Sequence, residues 1–333
     1  MTSIAANEET VDDGISLFDV GRTAEGNRAV RRSVVPPDIR ELVRSQRMTR
    51  PASWWAALHN AALVAAWVAL SVIGVLVDSL WAWVPIWIGQ AFLLHGAYSA
   101  MHDAAHGTMF GSRRLNRVAC FLWSIPLALN ASLWRGWHLE HHRATTTGDD
   151  PEPTAEITNI FIYIGVFPAA GIAMFGQFYY ESLISLLGHP PKYANRRSVV
   201  GGVRRDAAWM VLFTAGIVVA GIFATHWLVW LWLIPLATYW CVVSLIFGLP
   251  EHYGTDKEGS QIDVTRSTQT NWLLSFIVWN SNRHAAHHLL PTVNYRHLPA
   301  LDDALGERVT HRAPSYLAFH FGMVRAVTRR RSR

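Results

Sequence analysis

The chain has 333 residues, 51% of them hydrophobic and only 16% charged, with a mean hydropathy of +0.15; that balance excludes an ordinary soluble domain pair and suits an integral membrane protein. The formal net charge is +5, yet no aromatic-basic motif accompanies it, so nucleic acid is not the partner it implies. The only cysteines, Cys120 and Cys241, both stand in apolar stretches and exclude a disulfide framework or a thiolate metal site.

Residues 1–50 form a polar, Arg-rich arm with no apolar core behind a basic start, so the arm is not read as a signal peptide; it is expected to be solvated or loosely docked. Residues 54–77 and 80–101 lack Asp, Glu, Lys and Arg and reach the roughly 20 residues that span hydrocarbon. They are expected to form two transmembrane helices turning at Asp78-Ser79. Residues 207–250 are also free of formal charge, about twice one crossing. A second hairpin is expected, with helices over 207–224 and 228–248 and a turn near Thr225-His226-Trp227.

Two further apolar stretches, 118–134 and 157–180, are long enough to cross, but a single crossing by either would separate the later histidines from the earlier ones. Both are therefore read as interfacial or re-entrant, interrupted at Pro126, Pro168 and Gly171. Tryptophans such as Trp54, Trp81 and Trp227 sit near the ends of the runs, where an interfacial belt forms. Lys and Arg collect in the amino-terminal arm, at Arg113–Arg143, at Lys192–Arg205 and in the tail, which makes that side cytoplasmic. The expected fold is an all-α integral membrane protein. Four transmembrane helices in two hairpins carry a cytoplasmic helical cap with a histidine-rich dimetal site, in a domain over 51–310 followed by a basic cytoplasmic tail over 311–333.

Nine of the sixteen histidines are gathered as His102-x3-His106, His138-x2-His141-His142, the single His252, and His284-x2-His287-His288. Residues i and i+4 of a helix share a face, so His102 and His106 are expected to address one ion. In the second motif the i, i+3 pair His138 and His141 is expected to share a face, with His142 turned by about 100° toward a neighbouring ion. The third motif repeats this arrangement with His284, His287 and His288. A lone histidine beside a membrane is ordinarily hydrogen-bonded or interfacial, which is the reading for His59, His95, His189, His226, His297, His311 and His320. His95 lies seven residues before His102, near its helical face.

Imidazole ligates zinc, copper, iron and nickel alike, so residue type alone leaves the metal open. His-Glu-x-x-His and Glu-x-x-His are both absent, and nine histidines exceed the needs of one tetrahedral zinc. A pair of redox metals fits the count. Asp103 and Glu251 adjoin expected ligands and are read as acceptors for their second N–H; Glu140, Asp149 and Asp150 are further candidates.

These motifs, with Asp149-Asp150-Pro151 after the second and Leu289-Leu290-Pro291 after the third, resemble the three histidine boxes of the membrane fatty acid desaturase superfamily, which includes related hydroxylases and carotenoid ketolases. The likeness runs from about residue 54 to residue 300. It implies a four-helix membrane anchor and a cytoplasmic cap holding two irons, with O2 as co-substrate and His252 as the ligand beyond the last helix. Some relatives carry an asparagine four residues before that histidine; here the position is Gly248. Asn280 and Asn282 precede the third box and either add a polar contact there or cap its backbone.

The implied activity is O2-dependent desaturation of a fatty acyl chain or lipid. Hydroxylation or ketolation of a carotenoid or other apolar substrate is the alternative within the same chemistry, and a haem- or metal-binding carrier is the alternative outside it. No haem, iron-sulfur or dinucleotide motif is present, so an external donor is implied, ferredoxin or a cytochrome with its reductase. Arg143, Arg283 and Arg329-Arg330-Arg331 are candidates to dock an acidic donor, the tail alternatively anchoring to anionic lipid. Tyr98, Trp123 and Trp279 are candidates for the substrate channel.

Overall fold

A computed structural model describes residues 34–329 except 78, 153–155 and 195–196. The chain is predominantly helical, and three of its helical stretches are long and apolar enough to cross a membrane: Ser53–Val77, Ile160–Leu186 and Val199–His252. The first, α2, follows a short α1 (Pro37–Ser45) and pairs with α3 (Leu80–His106). Gly74 lies directly beneath the Trp83 ring, a closeness that only a missing side chain permits. In α3, Gln90, His95 and several tryptophans dilute the apolar run, and most of its second half is buried. It is the central helix, packed against α2 and α4 and against the last apolar run.

That last run folds back on itself. Its first limb, α7 (Arg197–Leu228), breaks helical geometry at Ala224. Phe213 and Trp232 then meet with ring centroids 5.7 Å apart, although 19 residues of straight helix would separate them by about 28 Å. The expected hairpin is thus present, turning just before the anticipated residues. Its return limb contains π-helical turns at Val229–Leu233 and Tyr239–Val243, with α8 (Ile234–Thr238) between them, and ends in α9 (Ser244–His252).

Residues 118–134 form no single helix: α4 (Arg113–Ser124) and α5 (Ala131–Ala144) are joined by a turn at Pro126-Leu127. The carbonyls exposed in that turn accept the indole N–H groups of Trp232 and Trp240 at 3.0 and 3.3 Å. Those bonds satisfy backbone that would otherwise be orphaned among apolar side chains. The expectation for 157–180 differs more. Pro168 and Gly171 do not interrupt α6 (Ile160–Leu186), which continues through both. Gly171 serves a contact instead, since a Cβ there would lie 1.8 Å from the Trp240 carbonyl oxygen. The early turns of α6 pack on Tyr253 and α13 (Tyr316–Arg329), while Phe178 packs on Trp137 of α5. Both halves of α6 therefore lie against elements next to the histidines.

The described part of the amino-terminal arm is docked rather than solvated. Helix α1 is amphipathic, burying Ile39 and Val43 against α12 (Leu298–Leu305), and the Met48 carbonyl accepts from Asn294 N–H at 2.9 Å. Residues 1–33 lie outside the described residues. Residues 311–329 are likewise no free tail. His311–Ala313 pairs in parallel with Arg266–Thr268 as strands β2 and β1, and α13 seats Tyr316 on Phe247 and His320 on Tyr163. Both segments carry one apolar face, and burying it outweighs their polar composition. Arg330 and Arg331 lie outside the described residues.

The close approach of α6 to the second π-turn yields an expected outcome. Gly171→Ala lowers the thermal unfolding midpoint of the detergent-solubilised protein, corresponding to about 1–3 kcal/mol of overpacking. Gly176→Ala in the same helix has open space around it and leaves the midpoint unchanged or slightly raised.

Candidate metal centre

Four short stretches bring the nine histidines together. Helix α3 stops at His106 because the next residue, Gly107, takes the left-handed conformation (φ 79°). Helix α5 is started by Asn130, whose side chain accepts from Leu133 N–H. Helix α9 ends at His252, its last carbonyls held by Arg266, which donates to Pro250 and Tyr253 at 2.6 and 2.8 Å. Helix α11 (His284–Leu289) carries the third motif. Its Ala285 N–H donates to Ser267 Oγ, which in turn donates to Asp302.

The rings fall into two groups. His102, His106, His138, His142 and His287 form one, and His141, His252, His284 and His288 the other; in each, one ring nitrogen per residue lies within 4.8 Å of all the rest. The groups abut, His142 stacking on His288 with centroids 4.1 Å apart. The grouping corrects one detail of the sequence reading. His138 shares its group with His142, not His141, and His284 shares with His288, not His287. An i+4 residue is rotated by about 40° from its partner and an i+3 residue by about 60°, so the former points more nearly the same way.

In the second group each Nδ1 has an acceptor outside the cluster. His141 Nδ1 lies 3.0 Å from Asp150 and 3.1 Å from Glu152. His252 Nδ1 lies 3.0 Å from the Val264 carbonyl, His284 Nδ1 3.4 Å from Glu251, and His288 Nδ1 3.2 Å from Gln261 Oε1. An acceptor there fixes the proton on Nδ1 and leaves Nε2 a bare lone pair in the neutral ring. Yet His141 Nε2 and His284 Nε2 approach His252 Nε2 to 3.2 and 3.0 Å, and His288 Nε2 is buried with no partner. Lone pairs facing one another at such distances repel; a cation among them turns each contact into a coordinate bond. The first group shows the same compression, His106 and His142 Nε2 lying 2.9 and 3.0 Å from His138 Nε2. The donor set therefore fits two metal ions.

Electrostatics support the neutral form. Burial first, and neighbouring imidazoles second, hold His138, His142, His284, His287 and His288 well below the ordinary histidine pKa. His141 is the exception: burial would lower it, but Glu152 and Asp150 outweigh burial and raise it. Burial likewise pushes Asp150 up, and His141 with the backbone N–H groups of Glu152 and Thr146 brings it below the usual carboxylate value.

Of the expected supporting residues, Glu251 stands beside His284. Asp103 does not touch an imidazole through any described hydrogen bond; its Oδ1 accepts from Thr108 at 2.8 Å and so tightens the end of α3. Asn280 and Asn282 donate to the Tyr295 and Thr268 carbonyls, at 3.1 and 2.9 Å, and brace the backbone around the third motif. Glu140 pairs with Arg143. Arg143 and Arg283 are committed to ion pairs with Glu140 and Asp302, Arg143 almost fully buried, so neither is displayed for a donor protein. Glu152 and Gln261 were missed, because both reach the site from loops where no periodicity flags them.

A cavity of about 320 Å³ touches both groups, through His102 and His138 on one side and His141 and His284 on the other. Tyr98 lines it, as expected. Trp123 donates to Asn60 and Trp279 stacks on His59 instead. His59 and His320 are hydrogen-bonded within the protein, as expected of lone histidines.

A sequence profile described as fatty acid desaturase matches residues 79–320, well over half of the chain and including all nine histidines. The chain belongs to the fatty acid desaturase family. As a family member it is an oxidoreductase by kinship, and the spacing of its boxes acquires a three-dimensional reason: the first supplies ring nitrogens to one group, the second and third to both.

Asp150→Ala is expected to weaken metal binding about 10- to 100-fold, measured by chelator competition on the purified protein. Glu41→Gln, at an exposed position of α1, serves as the reference. Equal affinities in the two variants remove Asp150 from any role at the centre.

Proposed function

We propose that this desaturase-family protein is a membrane-embedded, O2-dependent oxidoreductase that removes two hydrogens from neighbouring carbons of an acyl chain or lipid at a non-haem di-iron centre. The observation that carries the reading is the pair of abutting imidazole groups bordering one cavity. His102, His106, His138, His142 and His287 would hold one iron, and His141, His252, His284 and His288 the other. Two irons held there would supply the chemistry that side chains lack, the reduction of O2 to two waters with two electrons and two protons from the substrate C–H bonds, two electrons from an external donor and two protons from solvent.

The chain's own residues position and protect that chemistry. Asp150, Glu251, Gln261 and the Val264 carbonyl fix the four rings of the second group by their outer nitrogens. Trp134 and Trp137 stack on His138 and His141 and wall the rings from bulk water. The cavity then holds a C–H bond beside both groups, and small differences in that placement decide between an alkene and an alcohol.

In the bilayer, α2, α3 and the two limbs of the last hairpin are the four crossings, and α6 lies along the interface. The support for α6 is that both its halves rest on elements of the histidine-bearing end. The charge distribution along the sequence supports a cytoplasmic position for that end and for both termini. No described domain carries an electron-transfer cofactor motif, and a separate ferredoxin or cytochrome with its reductase supplies the electrons.

Purified protein is expected to hold about two irons per chain without haem absorbance. Expressed in a host of defined lipids under 18O2, it gives a product two hydrogens lighter and free of 18O, and His141→Ala inserts but yields none. A product gaining 18O establishes hydroxylation instead; one haem or labile zinc per chain sinks the oxygenase reading.

A further inference from the structure

The cavity beside the histidines is polar where an alkyl chain needs nothing polar. Its wall away from the rings is formed in part by His95, Tyr98 and Tyr239. His95 is 5% exposed, belongs to neither imidazole group, and buries Nδ1 with no hydrogen-bond partner. Tyr98 and Tyr239 stand around it, with ring centroids 5.7 and 6.1 Å from its own and 6.4 Å from each other. Leaving a buried nitrogen such as His95 Nδ1 unpaired costs free energy, so it is kept where a ligand or water completes it.

The backbone is shaped to present one of them. Tyr239 begins a π-turn, the kind of local widening that re-aims a side chain and concentrates at functional sites. That turn is held by Gly171, whose bare Cα lets the Trp240 carbonyl approach α6. The Tyr98 ring stands edge-on to Trp134, with centroids 5.3 Å apart.

We propose that His95, Tyr98 and Tyr239 form a seat for an oxygen function of the substrate, a hydroxyl or carbonyl carried on an otherwise apolar molecule. The seat is set by register: His95 precedes His102 by seven residues on the same helix, about 10 Å along its axis. The substrate is thus anchored by its oxygen roughly two helical turns from the C–H bond presented to the centre. A site built to hydrogen-bond an oxygen discriminates against an analogue that lacks it far better than an apolar wall discriminates by shape. The inference rests on the proposed lipid oxidation and sharpens its substrate class to oxygen-bearing lipids or terpenoids.

The test uses metal-loaded protein in detergent and two probes, hexadecane and hexadecan-1-ol, with affinity read from thermal-shift titrations. The hydroxylated probe is expected to bind about tenfold more tightly to the wild type. His95→Phe, which keeps a ring against Phe247, and Tyr239→Phe, which removes only an oxygen, erase that preference at unchanged metal content. Equal affinity of the two probes for the wild type, as a merely hydrated pocket gives, overturns the seat and leaves the lipid reading standing. A preference that survives both substitutions also overturns it. Failure of both probes to bind overturns the seat together with the lipid reading.

Discussion

The structure turns on one electrostatic constraint: nine imidazoles must be held with their ring nitrogens directed at one another, largely out of water. Each ring loses hydration on burial, and each Nε2 contact near 3 Å within the second group is unfavourable until a cation stands among them. The surrounding protein has to impose that geometry. It does so from outside the cluster, by giving Nδ1 of His141, His252, His284 and His288 an acceptor each. Proton position, ring rotation and the direction of the free lone pair are then fixed together.

The third motif shows how much scaffolding that takes. Helix α11 has six residues and no side-chain cap, too short to persist alone. Three of its residues enter the two groups, so its position must be imposed by tertiary contacts. Asp302 is the hub. Fully buried, it binds Arg283 and Arg312 and accepts from Ser267, which touches the first turn of α11. One residue earlier, Arg266 clamps the end of α9 behind His252. The short strand β1 thereby fixes the distance between His252 and the third motif, with Thr268 paired to Asn282 on the far side. Buried ion pairs add little net stability; here they fix register between two ligand-bearing helices.

Much of the centre was legible because its signal is local. Box spacing follows the helical repeat, and the resemblance to the desaturases singles out His252 just beyond the last apolar run. The choice between i+3 and i+4 was missed since both satisfy the same one-face rule, and the difference of about 20° decides only when rings must converge on a point. Glu152 and Gln261 were invisible for another reason: they reach His141 and His288 from loops, and loop conformation is set by packing across the chain. Helix α1 and helix α13 were masked by their charge, as composition averages over the two faces of an amphipathic helix. In α6, Pro168 and Gly171 suggested interruption, but the glycine answers to the Trp240 carbonyl on another helix, a contact sequence cannot announce.

Gly248 bears on how the two groups divide their roles. It lines the cavity, and a Cβ placed there would meet nothing within 4 Å, so α9 puts no side chain at a position where some relatives carry asparagine. The groups are already unequal, five imidazoles against four. The smaller one borders the cavity through His141 and His284, flanked by Glu152 and Glu251, which also line it. Each group presents two imidazoles to the cavity, and those of the second group have carboxylates beside them there. The carboxylates that orient its rings sit at that same boundary, where the polar wall of the cavity begins.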